Sequence, residues 1–462
     1  MKDDVRSVTK INEFLKLQAD RIVPIVFSLL VMIICYLCFY PGVMTWDSLE
    51  QLRQARINEY GNWQPPVMAF LWHQVLWMSD GPGVMLFFHM AMLYLSSVLL
   101  FLWSRREEHR WSIMFLFIPF FPWVVNFEYV IWKDVGLAYS WLLATSIAIY
   151  FSDRVKFPIA AATAIFLFFI YGALIRANSL FGAVFLLPFL FSCIFKKSSL
   201  KFFMLSFACA AAVSTLLPSA LSQVLSAIDE RPASYVMFDD IAALAVRDSV
   251  VVESILQADD ISELKTCDSF VQSGVGAAFC INKKFTEVKD DHYQALKQAW
   301  VVAVSQNVLS YFNNRLNSFV YFIRSPKQDQ YYSSEFRVVA SPYLFDSEFQ
   351  PSTVGANLVM RYVYVAKILM PEIFKPYFWL AVALLITILT NMKKASGYLG
   401  PLWMLPFSGF MYAASYFPIV AAADFRYVYW LCLIVTVSTM LWATIFFRAQ
   451  QTQNSTVVND RM

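Results

Sequence analysis

The stretch GVMLFFHMAMLYLSSVLLFLW, residues 83–103, decides the fold. It holds no Asp, Glu, Lys or Arg, and His89 is its one titratable side chain apart from Tyr94. As a helix rising about 1.5 Å per residue it covers roughly 30 Å, the thickness of a bilayer's hydrocarbon core. Arg105 and Arg106 follow at once, as cations do where a span leaves the membrane on the cytoplasmic side.

Working outward, comparable apolar blocks lie at about 23–41, 111–126, 135–151, 157–175, 179–195, 201–221, 374–391, 398–420 and 427–447. With 83–103 they predict an all-α polytopic membrane protein of about ten spans. Two stretches break the pattern. Residues 43–82 carry Asp47, Glu50, Arg53, Arg56 and Glu59 and then Pro65-Pro66; their apolar run 67–78 is too short to cross and reads as an interfacial helix. Residues 223–368 turn polar and read as a separate, mainly helical domain. The expected order is a cytoplasmic segment 1–22 with a short surface helix, spans 1–7 within 23–222, the polar domain, spans 8–10 within 369–447, and a polar tail 448–462.

Composition agrees. Apolar residues make up 59% and charged residues 15% of the chain, against about a quarter charged in a soluble domain. Mean hydropathy is +0.53. A net charge of +3 gives no reason to expect a nucleic-acid partner. No cleavage site follows the first apolar run, so it reads as an uncleaved span.

Cations fix the predicted orientation. Alternate connections hold Lys2/Lys10/Lys16/Arg21, Arg105/Arg106/Arg110, Arg154/Lys156, Lys196/Lys197/Lys201, Lys393/Lys394 and Arg448. The other set holds only Arg53/Arg56, Lys133, Arg176 and Arg426. The positive-inside rule then puts both termini in the cytoplasm and 223–368 outside. Cys35, Cys38, Cys193, Cys209 and Cys432 fall in spans as packing residues. Cys267 and Cys280 share the outer domain, where a disulfide is expected.

This orientation gathers Asp47, Lys133, Asp134, Arg176, Asp424 and Arg426 at the outer ends of spans. Ionisable groups at membrane depth are costly and so mark functional sites. Each also has a plain structural reading. Asp47 can cap a helix, with Glu50 completing a capping box. Trp132-Lys133-Asp134 can be a belt tryptophan, a snorkelling lysine and a cap. Arg176 can snorkel while Asn178 or Ser179 caps span 6, and Asp424-Phe425-Arg426-Tyr427 can hold an internal ion pair. His89 is explained by a helix–helix hydrogen bond. His73, His89, His109 and His292 lack metal-ligand spacing, and no Walker A, GxSxG or HExxH motif is present.

The run Tyr40-Pro41-Gly42 … Trp46-Asp47-Ser48 … Gln51 … Gln54-Ala55, with Gln64-Pro65-Pro66 after it, resembles the first outer loop of bacterial GT-C-type membrane glycosyltransferases. Trp132-Lys133-Asp134 resembles their second acidic loop, and 293–323 resembles an outer-domain helix of O-antigen-modifying members. Many such enzymes show an acidic pair in the first loop; here Asp47 stands without an adjacent acid.

The resemblance implies an enzyme of the bacterial inner membrane. It would move a sugar from a polyprenyl-phosphate donor, reached through the membrane lipids, to an outer glycan or lipid-linked acceptor such as a lipopolysaccharide O-antigen. Asp47 is then the expected base, with Asp134 a second acid orienting the acceptor or a metal. Lys133, Arg176 and Arg426 are the expected phosphate ligands, and Trp46, Glu50, Asp424 and Tyr427 the support. No cofactor is assigned, and no ligand spacing supports a divalent metal. The rival readings are an O-antigen polymerase or ligase, a transporter or lipid flippase, and an assembly protein. The flippase reading calls for charges at span centres, which are nearly free of them.

Overall fold

A computed structural model describes residues 22–106, 110–197, 199–250, 254–283, 290–324, 354–392, 399, 401–420 and 422–459. The expected surface helix at the N-terminus and the Lys393-Lys394 pair lie outside them. Among the described residues the protein is helical, with no strand and two isolated parallel bridges, Val43 to Val130 and Gly61 to Ile228.

It is a helical membrane protein. Among the described residues six helices are long and apolar enough to cross a bilayer: Ile22–Phe39, Gly83–Arg106, Lys133–Phe151, Ala177–Phe195, Leu200–Val224 and Phe425–Phe447. The stretch expected as a straight span over 111–126 is a pair of helices, Trp111–Phe120 and Pro122–Glu128, bent by 44°. Pro119 and Pro122 account for the break, since each lacks an N–H and its ring crowds the preceding turn. Ile159–Leu174 and Pro376–Met392 are apolar but shorter. The helix within 398–420 covers only Met404–Ala414, between Pro401 and Pro418. The final helix does not stop at 447; it runs on to Asn459, because no Gly or Pro interrupts 448–459.

Lys133–Phe151 is the centre of the bundle. It packs on Gly83–Arg106, Ile159–Leu174, Leu180–Phe195 and Tyr429–Asn459, and almost every side chain from Asp134 to Ile149 is buried. Ile22–Phe39 and Leu200–Val224 run along the outside of the bundle and present most of their apolar surface outward, as lipid-facing helices do.

A second, smaller core forms within the polar stretch. Phe238, Ile241, Leu256, Leu264, Phe270 and Leu296 pack together from the helices between Ala233 and Gln306. Cys267 and Cys280 are joined by a disulfide, with Cα atoms 6.1 Å apart. The segment expected as one helix over 293–323 is two, Asp290–Gln306 and Val308–Arg324, broken at Asn307. The second of these ties the small core to the bundle. Its Arg315 makes a buried ion pair with Asp240 at 2.7 Å, while Tyr321 and Phe322 join the bundle's core. Val354–Leu369 packs on Pro122–Glu128, burying Ala356, Val363 and Ala366.

Candidate active site

The chain after Ile22–Phe39 is fastened to the entrance of the central helix. Gly42 has φ +107°, and a Cβ there would lie 2.8 Å from Ile131 Cδ1, so glycine permits the close approach. Val43 N–H then donates to Tyr129 carbonyl at 2.9 Å, and Ile131 N–H donates to Val43 carbonyl at 3.1 Å. Trp132 Nε1 donates to Thr45 Oγ1 at 2.7 Å, and Ser48 Oγ donates to the Ile131 carbonyl. Residues 45–48 and 131–134, far apart in sequence, are thereby held side by side.

This corrects the capping assignment at Asp47. Thr45 is the N-cap of Trp46–Ile57, and its N–H bonds Ser48 Oγ at 3.4 Å. Asp47 falls two positions further in, in the first turn, and is left free of capping. Its Oδ1 accepts from Gln64 Nε2 at 2.9 Å, and its Oδ2 meets Arg426 Nη1 at 2.9 Å. Burial by itself would raise the Asp47 carboxyl, but the charges of Arg426 and Lys133 outweigh it and hold the group below the usual carboxylate range. Glu50 points elsewhere: it pairs with Arg53 and accepts from Gln54 at 3.0 Å. Trp46 is 73% exposed and supports nothing in the cluster.

Asp134 sits in the first turn of Lys133–Phe151, whose N-cap is Trp132. It is buried, its Oδ2 is 3.2 Å from Arg176 Nη1, and its Oδ1 has no hydrogen-bond partner. Arg176 does not snorkel. It is buried between Asp134 and Tyr416, whose hydroxyl accepts from Nη2. Nor do its neighbours cap: Asn178 Nδ2 donates to Ser415 Oγ at 3.0 Å, and Ser179 Oγ to the Ala173 carbonyl at 2.6 Å. Lys133 Nζ donates to Gln64 Oε1, so the Gln64 amide joins the lysine to Asp47.

The last span supplies the rest. Asp424 caps the turn Phe425–Val428, its Oδ1 accepting from Arg426 N–H at 3.0 Å. Its Oδ2 meets Arg426 Nε at 3.0 Å, so the expected internal ion pair is present and Arg426 holds Asp47 as well. Burial pushes the Asp424 carboxyl up to about 6 against the pull of Arg426. Arg426 lies over the Trp132 ring at 4.6 Å. Tyr427 stacks on Tyr416 with centroids 5.0 Å apart, and both Arg176 (5.0 Å) and Arg426 (5.3 Å) lie against it.

Asp47, Lys133, Asp134, Arg176, Asp424, Arg426 and Tyr427 therefore meet in one place, and Trp46 and Glu50 do not join them. Among the described residues three carboxylates face three basic side chains, one-to-one in formal charge. Gln64 and Tyr416 belong to the same cluster; Gln64 stood only as part of the Gln64-Pro65-Pro66 run, with no site role, and Tyr416 stood out in no sequence pattern. The described histidines are elsewhere. His73 Nδ1 is 2.7 Å from the Ala55 carbonyl. Neither ring nitrogen of His89 has a hydrogen-bond partner, so the helix–helix bond expected there is not made; the ring packs against Tyr139. Among the described residues no three His, Cys, Asp or Glu side chains are placed to hold a metal. No family model, characterised protein or solved structure matches the chain.

Proposed function

We propose that this protein is a GT-C-type glycosyltransferase of the bacterial inner membrane, with about ten spans and both termini cytoplasmic. It transfers a sugar from a polyprenyl-phosphate donor to an outer glycan or lipid-linked acceptor. One observation carries the reading: a carboxylate within reach of solvent, Asp47, shares a cluster with two arginines and a lysine at the ends of apolar helices. A lipid-linked substrate enters such a place from the bilayer, and a hydrophilic acceptor enters from water.

The chemistry follows from the parts. The acceptor hydroxyl oxygen bonds to the anomeric carbon, and its proton passes to Asp47. The bond from that carbon to the phosphate oxygen breaks, with oxocarbenium character at the transition state. The phosphate leaves with one more negative charge than it brought, and charge developing there is what preorganised cations stabilise. Arg176 and Arg426 present planar forks suited to phosphate oxygens, and Lys133 a point charge. Asp134 holds Arg176 in place from behind.

Transfer of radiolabelled sugar from polyprenyl phosphate in proteoliposomes tests the reading. Asp47→Asn retains the size of the side chain and the Gln64 contact but cannot take a proton, so transfer should drop roughly 10²–10⁴-fold. Arg176→Lys keeps the charge, loses the fork, and should also reduce transfer. Near-normal rates in both variants, normalised to inserted protein, would overturn the assignment.

A further inference from the structure

Among the described residues the cluster is balanced in formal charge by its own side chains. Arg176 is paired with Asp134, and Arg426 with both Asp47 and Asp424. Lys133 is the third cation, joined to Asp47 through Gln64. A phosphodiester brings one further negative charge into this largely buried place, where an uncompensated charge is expensive. It can bind only by drawing a guanidinium away from a carboxylate, and that carboxylate must then be neutralised.

The two carboxylates on Arg426 differ in what they keep. Asp47 retains Lys133 as a nearby cation and Gln64 as a donor. Among the described residues Asp424 has Arg426 as its one direct cationic partner. Its two oxygens also divide their work: Oδ1 holds the backbone N–H of Arg426, and Oδ2 faces the guanidinium. A proton on Oδ2 therefore leaves the cap intact. The charged and titratable groups around Asp424 are Arg426 and Tyr427 on its own turn, Asp47 on the Trp46–Ile57 helix, and Lys133 and Asp134 on the central helix. Arg176 and Tyr416 lie behind these, and Glu372 and Lys375, on the turn whose Phe374 packs on Phe425, pair with each other at 3.1 Å.

We propose that a lipid phosphodiester binds this cluster together with a proton, which Asp424 takes on Oδ2 as the phosphate draws Arg426 away. The inference rests on the donor assignment above and adds the order of events. Loss of Arg426 also strips Asp47 of the ion pair that keeps it a weak base, so donor binding switches the base on before the acceptor proton is removed. Burial sets the Asp424 carboxyl at about 6, so it is mostly ionised at neutral pH and has a proton to gain. Below that value it is already protonated, and binding draws no proton.

Calorimetry on the full-length protein in detergent, with farnesyl methyl phosphate as probe, decides the matter. This diester carries one fixed charge over the whole range. Titrations at pH 7 in buffers of different ionisation enthalpy should show about one proton taken up per ligand, and affinity should weaken about tenfold per pH unit above neutrality. At pH 5 the uptake should vanish. Asp424→Asn, which retains the capping oxygen, should bind with no uptake and little pH dependence. Wild-type binding without proton uptake overturns the inference and leaves the donor assignment standing, and so does uptake that is unchanged in Asp424→Asn. Failure of the wild type to bind the diester at all overturns the donor assignment and the inference with it.

Discussion

The guanidinium of Arg426 stands between two carboxylates, 2.9 Å from Asp47 and 3.0 Å from Asp424. It thereby joins the helix that follows the first span to the turn that opens the last one. Few single side chains connect such distant parts of a chain, and the contact depends on the shape of the group, since Nη1 and Nε are used together. Lysine has no second nitrogen to offer. Arg426→Lys should insert and fold but lose roughly 10²-fold in sugar transfer, as expected for one preorganised donor. Comparing rates at equal amounts of inserted protein checks this; a rate within a few-fold of wild type would show that charge alone suffices.

Orientation gives the next expectation. Reporter fusions after residues 108, 198 and 393 should be active as cytoplasmic fusions, and those after 60, 133 and 290 as external ones. The cation bias of the short connections sets this. A cytoplasmic signal at 290 would invert the topology and remove the site from the face that the proposed chemistry needs.

The small core carries its own test. Cys267 and Cys280 are separated by 13 positions, a short loop, and removing the bond should cost the domain about 3 kcal/mol in the chain-entropy treatment. Cys267→Ser should make the segment around Ala258–Cys280 more sensitive to limited proteolysis in the intact protein, while the spans stay protected. Equal resistance with and without reductant would place the domain's stability in Phe238 and its apolar neighbours instead.

Asp239 makes the same domain pH-dependent. Burial lifts its carboxyl to about 7, although Gly276 and Ala277 N–H groups donate to it at 3.0 and 2.8 Å. Its unfolded value is near 3.9. Between those values the folded state holds a proton that the unfolded state has released, so stability falls as pH rises from about 4 to about 7 and is level above. Thermal unfolding of the intact protein, followed by proteolysis at several pH values, should show this slope. Asp239→Asn should flatten it.

How much of this could be read beforehand depended on whether the signal was local. Six of the ten expected span positions were legible because twenty apolar residues in a row have few other uses, and Asp47, Arg176 and Arg426 stood out because charges at span ends are costly. The bend at Pro122 was legible only as a proline, since its angle depends on what the two halves pack against. Gln64 was invisible as a site residue. It is an ordinary loop glutamine until the fold sets its amide between Asp47 and Lys133, 17 and 69 positions away. Tyr416 was hidden for the same reason, being 240 positions from Arg176. Asp47 with Glu50 looked like a cap because the pattern is local, but Thr45 had the extended backbone that a cap requires.

The bridge between Gly61 and Ile228 has a mechanical consequence. Asn62 N–H donates to the Ile228 carbonyl at 3.0 Å, Asn62 Nδ2 to Asp229 at 2.8 Å, and Trp63 N–H to Glu230 at 2.9 Å. A Cβ on Gly61 would stand 2.2 Å from the Glu230 carboxylate, so that side chain lies directly over the glycine. The residue after Trp63 is Gln64. The joint therefore fastens the segment that carries this amide, the one that steadies Asp47, to the stretch of chain leading from the span Leu200–Val224 into the small domain.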